Sequence, residues 1–152
     1  PDAVMLLQPT APLRQAAHIK GAIDLFLKSG ADSVVSVVEI PGHSSPYWAV
    51  VENDDGRARL FIGEPIRKRI PRRQEFPQKT YAHNGAIYLF KTRLLFHPEE
   101  PSLYGDHVRL YPMEQKYSVN IDHPEDWVLA EWAIENVLRE KVFVWLNAER
   151  SR

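Results

Sequence analysis

The sequence predicts an α/β domain, because two buried-type strands and one amphipathic helix alternate near its start. Residues 3–7 (AVMLL) are apolar throughout, which is typical of a strand covered on both faces. Between residues 15 and 29 apolar side chains recur at helical spacing, and Gly30 is suited to end that helix. Residues 33–38 (SVVSVV) predict a second buried strand. This order predicts a βαβ unit in a mostly parallel sheet, with the first strand in its interior.

The middle of the chain predicts an antiparallel hairpin followed by a long polar loop. Residues 47–51 and 58–62 flank an Asn-Asp-Asp-Gly turn, which is a strong hairpin signal. Residues 63–79 are basic and proline-rich, so they predict an arm or loop excursion. The core pattern then resumes, and we expect further strands at residues 85–90, 107–111 and 117–121, with a short helix or turn near residues 92–96.

The C-terminal part predicts one long helix. Asp122 is the expected N-cap, Pro124 suits the first turn, and Glu125 completes a capping box. The helix is expected to run to about Lys141. Its predicted apolar face consists of Trp127, Ala130, Ile134, Val137 and Leu138. Residues 142–146 (VFVWL) are expected either to prolong this helix or to add a strand.

Composition limits the class of protein. A chain of 152 residues is long enough for one domain with a core, so we expect a single domain over residues 1–152. The formal net charge of −1 predicts no general attraction to nucleic acid or to a membrane surface. The absence of cysteine excludes disulfides and thiolate chemistry. No signal peptide or membrane-length apolar run is visible, and a cytoplasmic location is the expectation.

Three short segments are candidates for binding or chemistry. Residues 8–14 follow a buried strand, where open α/β sheets bind ligands, although a rigid connector would have the same composition. Asn84 and Gly85 open the strand that carries Tyr88, although such a pair is most often just a turn. Asn120 and Asp122 would point the same way from a strand and could hold Mg²⁺, although Asp122 is also explained as a helix cap.

The arm between the hairpin and the next strand is rich in cations. Such a run is usually a solvated surface, but guanidinium groups also bind phosphate or carboxylate in a bidentate manner. The cations of the arm are Arg67, Lys68, Arg69, Arg72, Arg73 and Lys79.

Five segments in this order resemble the acylneuraminate (CMP-sialic acid) cytidylyltransferase family. They are LLQPTAPLR at residues 6–14, GADSVVSV at 30–37, RRQEFPQ at 72–78, NGAIYLF at 84–90 and SVNIDHPEDW at 118–127. The resemblance implies a Rossmann-like nucleotidyltransferase fold. It also implies a reaction in which the anomeric hydroxyl of an acidic sugar attacks the α-phosphate of CTP, with Mg²⁺ assistance, and pyrophosphate leaves.

The resemblance also implies roles for individual residues. Gln8 and Asn84 would contact the sugar, Tyr88 would line its pocket, and Arg73 would lie near its carboxylate. Asp122 would be the metal ligand.

This sequence departs from the family pattern at several places. Asn120 stands at the first acidic position of the catalytic D-x-D pair, which Asp122 completes, and this weakens the expected metal site. Ala82 and His83 stand where an arginine is frequent, and Ala11 replaces a serine. The family's glycine- and lysine-containing phosphate loop, which precedes the LLQP strand, has no counterpart in these residues. The expectation is therefore a truncated cytidylyltransferase.

The resemblance further implies a homodimer that forms through the excursion at residues 43–79. Three readings of the function remain open. The first is an enzyme that needs a separate N-terminal half. The second is a non-catalytic paralogue that dimerises or regulates, and the third is a sugar-binding module without CTP chemistry.

Overall fold

The computed structural model describes the backbone of residues 1–150 and the side chains of residues 1–137 and 139. The chain divides into two compact units. The larger unit comprises Pro1–Val38 and the chain from His83 onward, and the smaller unit comprises Glu39–Ala82. Among the described residues, no helix has the length and apolar character needed to cross a membrane.

The elements follow the predicted α/β order, and this fold class is confirmed. The helices are α1 (Ala16–Ser29) and α2 (Pro124–Arg150). The strands are β1 (Ala3–Leu6), β2 (Ser33–Glu39), β3 (Val50–Glu52), β4 (Ala58–Leu60), β5 (Tyr81–Lys91) and β6 (Val108–Met113). Short 3₁₀ turns lie at Gly42–Ser44, Ile66–Lys68, Arg73–Glu75, Thr92–Phe96 and Gln115–Tyr117.

The main sheet differs from the expected one in how its strands pair. Its order is β1-β5-β2-β6, and only β2 and β6 form a parallel pair. Strands β1, β2 and β6 nevertheless run in one direction, because β5 enters the sheet antiparallel between β1 and β2. Three of the four strands therefore run in the same direction, as expected for a mostly parallel sheet. Most neighbouring strands are nevertheless paired antiparallel. The hydrophobic pattern reports burial and does not report which strand lies beside which.

Strand β1 lies at an edge of the described sheet, whereas the sequence predicted an interior position. It pairs with β5 alone, from Ala3 opposite Lys91 to Leu6 opposite Tyr88. Leu6 is 40% exposed and the other β1 residues are half-buried. Although every residue of β1 is apolar, the strand is consequently not buried on both faces.

Helix α1 packs through only part of the face that its pattern predicts. Ala22 lies in the core with Ile19 and Phe26 against it, whereas Ile23 and Leu27, which were expected on the same face, are exposed. Ala22 is fully buried, and Gly30 ends the helix in the left-handed conformation at φ 64°. Gly21 has no side chain to keep α1 away from Tyr111 of β6, whose ring lies directly against it. The central core cluster consists of Ala11, Ala22, Val34, Ala86, Ile87, Leu89 and Met113.

The start of α2 differs from the prediction. The expected strand at residues 117–121 is absent, and a 3₁₀ turn and irregular chain take its place. The helix begins at Pro124, so His123 is the N-cap residue. The carboxylate of Asp126, in the first turn, accepts the N–H groups of Asp122 and His123 at 3.0 and 2.8 Å. The expected capping box of Asp122 and Glu125 is therefore wrong, because the helix begins later along the chain than expected.

The packed face of α2 is narrower than predicted. Ala130, Ala133 and Val137 are buried, but Trp127 and Ile134 remain exposed. Leu138 was also predicted on this face, but its side chain is not among those that the structure describes. Residues 142–146 prolong the helix, which was one of the two expectations.

The smaller unit has its own hairpin and a small aromatic core. Strands β3 and β4 pair antiparallel around the predicted turn, in which the Gly56 N–H donates to the Asn53 carbonyl. The Phe76 ring contacts those of Tyr47 and Trp48, and the Trp48 indole N–H donates to the Ile70 carbonyl at 2.7 Å.

Asp32 ties the beginning of β2 to the end of β5. Its carboxylate accepts from Lys91 at 3.0 Å, from Arg93 at 2.8 Å and from the His107 backbone N–H at 3.2 Å. The Lys91 hydrogen bond first, and then the His107 N–H, lower the pKa of Asp32 to about 2.

We predict that Asp32 makes the chain sensitive to acid. Because the pKa of Asp32 is lowered in the folded state, its contribution to stability is full above about pH 4 and is lost as the pH falls towards 2. Asp32→Asn should lower the melting temperature at pH 6 and reduce the further fall between pH 4 and 2. Arg93→Ala should reproduce part of this change. If the melting temperatures of wild type and Asp32→Asn fall by the same amount between pH 4 and 2, the prediction is wrong.

Candidate functional site

The loop after β1 is held firmly against the sheet. The Arg14 guanidinium donates to the carbonyls of Ala86 at 2.6 Å and Gln8 at 3.3 Å. Within the loop, Ala11 and Leu13 are buried. This loop is the predicted connector, and its anchoring fixes the position of Gln8 beyond the carboxyl end of β1.

The irregular segment at residues 118–123 lies beside this loop. The Ile121 N–H donates to the Thr10 carbonyl at 2.8 Å, which joins the two segments directly. Asn120 and Asp122 are therefore brought to the same end of the sheet as Gln8, although they do not lie on a strand as the sequence predicted. The backbone hydrogen bond between Ile121 and Thr10, and not the alternation of a strand, therefore brings Asn120 and Asp122 to this end of the sheet.

Gly85 of β5 lies where these two segments meet. Its φ is 68°, a conformation that residues with a side chain rarely adopt. A Cβ atom built on Gly85 would lie 2.5 Å from Gln8 Oε1 and 3.4 Å from Asn120 Oδ1. The absence of a side chain at Gly85 thus leaves room for two amide oxygens above the backbone of β5. We call this arrangement the Gly85 cradle.

Asn84, a predicted sugar contact, has a buried side chain with several partners inside the protein. Its Oδ1 accepts from the Ser36 hydroxyl at 2.6 Å and the Ala86 N–H at 3.2 Å. Its Nδ2 donates to the Ser118 hydroxyl at 3.0 Å, and Ser36 in turn accepts the Ile87 N–H at 2.7 Å. This network joins β2, β5 and the segment that carries Asn120. A role of Asn84 in sugar binding stays a prediction.

Asn120 and Asp122 form a contact that bears on metal binding. Asn120 Nδ2 donates to Asp122 Oδ2 at 2.6 Å, so one carboxylate oxygen is already engaged. Among the described residues, no group of three or more His, Cys, Asp or Glu side chains could hold a metal ion. These residues fit an Mg²⁺ that takes Asp122 as its one side-chain ligand and completes its coordination with oxygens from outside the protein. They do not fit an ion held by two protein side chains.

Tyr88 has two aromatic neighbours that the sequence did not single out as a group. The ring centroid of His83 lies 6.2 Å from that of Tyr88 and 6.0 Å from that of Tyr104. Burial, and then the proximity of Tyr104, raise the pKa of Tyr88. Tyr88 is therefore a neutral phenol at physiological pH. His83 and Tyr88 are five residues apart in β5, so regular strand alternation does not predict their proximity, and Tyr104 too is brought in only by the fold.

Arg73 belongs to the smaller unit, unlike the other predicted site residues. There it lines a cavity of about 630 Å³, and its side-chain stem packs against Gly42. Lys79 lines the same cavity and is paired with Glu39 at 2.7 Å. The predicted role of Arg73 beside a sugar carboxylate stays a prediction.

The larger unit therefore has the features of a ligand-binding α/β protein. Its polar side chains gather beyond the carboxyl end of a strand, which is the usual place for ligands in open α/β sheets. Gln8, Gly85, Asn120 and Asp122 all lie at that end.

Comparison with known proteins identifies relatives of this chain. No protein-family model matches it. The post-translational flagellin modification protein B of Campylobacter coli is 29% identical over 143 residues, which are 93% of this chain and 57% of that protein. N-acylneuraminate cytidylyltransferase A of Danio rerio is 33% identical over 138 residues, 91% of this chain and 30% of that protein. The Streptococcus agalactiae serotype V N-acylneuraminate cytidylyltransferase is 30% identical over 139 residues, 90% of this chain and 32% of that protein.

The resemblance predicted from the five motifs is confirmed by these matches. The chain is similar to N-acylneuraminate cytidylyltransferases over about nine-tenths of its length. It spans between 30% and 57% of the length of these three relatives.

We predict that Asn84 is needed for stability. Asn84→Ala would leave several buried groups without partners, so the free energy of unfolding should fall by about 2–4 kcal/mol. Denaturant unfolding measures this change. Asn136→Ala, which removes one hydrogen bond to the Trp132 carbonyl, is the control and should change stability by less than about 0.5 kcal/mol. An Asn84→Ala variant as stable as wild type would show that the network contributes nothing.

We also predict that Asn120 limits metal binding. Asn120→Asp would remove the amide donor from Asp122 and place a second carboxylate beside it, so Mg²⁺ affinity should rise roughly tenfold. Calorimetric titration with Mg²⁺ in the absence of nucleotide measures the change. Asp122→Asn in the same background should abolish the gain. Equal Mg²⁺ affinity of wild type and Asn120→Asp would contradict the prediction.

Proposed function

We propose that this chain is the sugar-binding part of a cytidylyltransferase that transfers CMP from CTP to an acidic sugar of the N-acylneuraminate type. The observation that carries the proposal is the meeting of three family-like segments at the Gly85 cradle, where Gln8, Gly85 and Asn120 lie together. The names of two relatives at 30–33% identity support the reaction class. The chain spans only part of the length of those relatives, so the complete reaction is part of the proposal.

The reaction is a nucleotidyl transfer. The anomeric hydroxyl oxygen of the sugar forms a bond to the α-phosphorus of CTP, the bond from that phosphorus to the pyrophosphate oxygen breaks, and the hydroxyl proton is released. Catalysis of this kind depends on positioning and on neutralisation of phosphate charge. In the proposed arrangement Gln8 and Tyr88 orient the sugar, and the network around Asn84 holds the strand beneath it.

Mg²⁺ is part of this proposal, with Asp122 as its side-chain ligand. When bound, the ion would neutralise charge on the triphosphate. The remaining oxygens of its coordination shell would come from phosphates and water, because Asn120 directs its nitrogen and not its oxygen toward Asp122. Metal and CTP are therefore expected to bind together.

We propose that the excursion at residues 43–79 forms a homo-oligomer contact. These residues lie within the separately compact unit Glu39–Ala82. That unit exposes several large apolar side chains, and an apolar surface of this kind is typical of an interaction site. The exposed residues are Val50, Phe61, Ile62 and Ile66. In such an oligomer, Arg73 would supply positive charge for the sugar carboxylate.

A second function is a sugar-binding module without CTP chemistry. It is favoured by the replacement of the first acidic D-x-D position by Asn120 and by the engagement of Asp122 with it. Such a module would retain Gln8, Asn84, Tyr88 and the cradle but not the transfer reaction.

The experiment is an assay of the protein at its native length with CTP, Mg²⁺ and N-acetylneuraminate, in which CMP-sugar and pyrophosphate are both measured. We expect both products in equal amounts, with a roughly tenfold or greater loss of kcat/KM for Gln8→Ala. Gln115→Ala, at an exposed glutamine of the larger unit outside the proposed site, is the control. Sugar binding without either product would reject the transferase and support the sugar-binding module.

A further inference from the structure

Asn120 Oδ1 is a buried oxygen without a hydrogen-bond partner among the described residues. It faces the Gly85 cradle, because it lies 3.4 Å from the position of a Cβ on Gly85. Gln8 Oε1 lies 2.5 Å from that same position. The cradle therefore presents two amide groups from distant parts of the chain to one small space.

The orientation of the Asn120 amide is determined by its neighbour. A carboxylate can only accept hydrogen bonds, so the contact of 2.6 Å to Asp122 Oδ2 requires the NH₂ group of Asn120 on that side. Asn120 Oδ1 must then point away from Asp122. An amide flip would bring two acceptors together at Asp122 and is unfavourable.

An unpaired buried carbonyl oxygen is unfavourable, so native proteins rarely retain one without a reason. The oxygen of Asn120 is therefore suited to accept a hydrogen bond from a ligand that enters the cradle. Gln8 can rotate its amide, so it can accept from or donate to the same ligand.

We infer that Asn120 is a specificity-determining acceptor for the sugar, receiving a hydroxyl or acylamido N–H at the Gly85 cradle beside Gln8. This inference rests on the proposed sugar-binding function. It assigns to Asn120 a role in sugar recognition in place of metal ligation. The glycine at position 85 is part of the site, because a Cβ there would lie 2.5 Å from Gln8 Oε1 and would displace the Gln8 amide from beside Asn120.

The test is a titration of the ¹⁵N-labelled full chain with N-acetylneuraminate in the absence of CTP and Mg²⁺. The amide resonance of Gly85 reports on the cradle. Those of Gly30 and Gly56 are references, since nothing lies within 4 Å of a Cβ on either residue. We expect a saturable shift at Gly85 and little change at the two references.

Asn120→Ala should weaken sugar binding about 3- to 10-fold, which corresponds to the loss of one neutral hydrogen bond. Ser33→Ala is the matched control, because it also removes a buried oxygen without a partner, but in β2, and it should leave the affinity unchanged. Unshifted reference glycines in Asn120→Ala establish that the variant is folded.

Two results would overturn the inference. If Gly85 shifts and Asn120→Ala binds the sugar as tightly as wild type does, the acceptor role is wrong while sugar binding itself stands. If no resonance of wild type shifts, the cradle does not bind this sugar. The CMP-sugar assay then decides the proposed function independently.

Discussion

The buried hydrogen-bond network around Asn84 is the interaction on which the remaining structure depends. Its amide bonds to the Ser36 hydroxyl and the Ser118 hydroxyl, so one side chain holds β2, β5 and the segment before α2. The Ser118 hydroxyl then donates to the Glu114 carbonyl at 2.9 Å. Because these groups are buried, each would be costly to leave unpaired, and the network therefore favours one arrangement of the three segments.

The same network places the candidate site. Gly85 follows Asn84 directly, and its positive φ turns the backbone of β5 where Gln8 and Asn120 approach. A Cβ at position 85 would collide with the Gln8 amide and would lie in contact with that of Asn120. Asn84, which carries the buried network, and Gly85, which forms the proposed ligand site, are thus neighbours in β5. Rigid support of this kind is what a binding site needs to hold a sugar in one orientation.

In the proposed site, metal ligation and sugar recognition would compete for the side chain of Asn120. With an aspartate at this position, two carboxylates would face a cation. With Asn120, the amide nitrogen engages Asp122 and the amide oxygen is left for the cradle. One substitution therefore shifts the local chemistry from cation binding toward the acceptance of hydrogen bonds from a neutral group. The two proposed functions differ at this point. The transferase requires Asp122, as the one carboxylate ligand, to bind Mg²⁺ together with CTP, whereas the sugar-binding module does not.

The sequence by itself determined the α/β class, the position of α1 with its Gly30 cap, the hairpin turn and the family resemblance. These features depend on local periodicity, on turn chemistry and on motifs that are contiguous in the chain. The tertiary structure alone decided that β5 lies between β1 and β2 and that α2 begins at Pro124. It also decided that Tyr104 lies near His83 and that Asn120 meets Gln8. Pairings of this kind join residues far apart in sequence, and hydrophobic pattern carries no information about them.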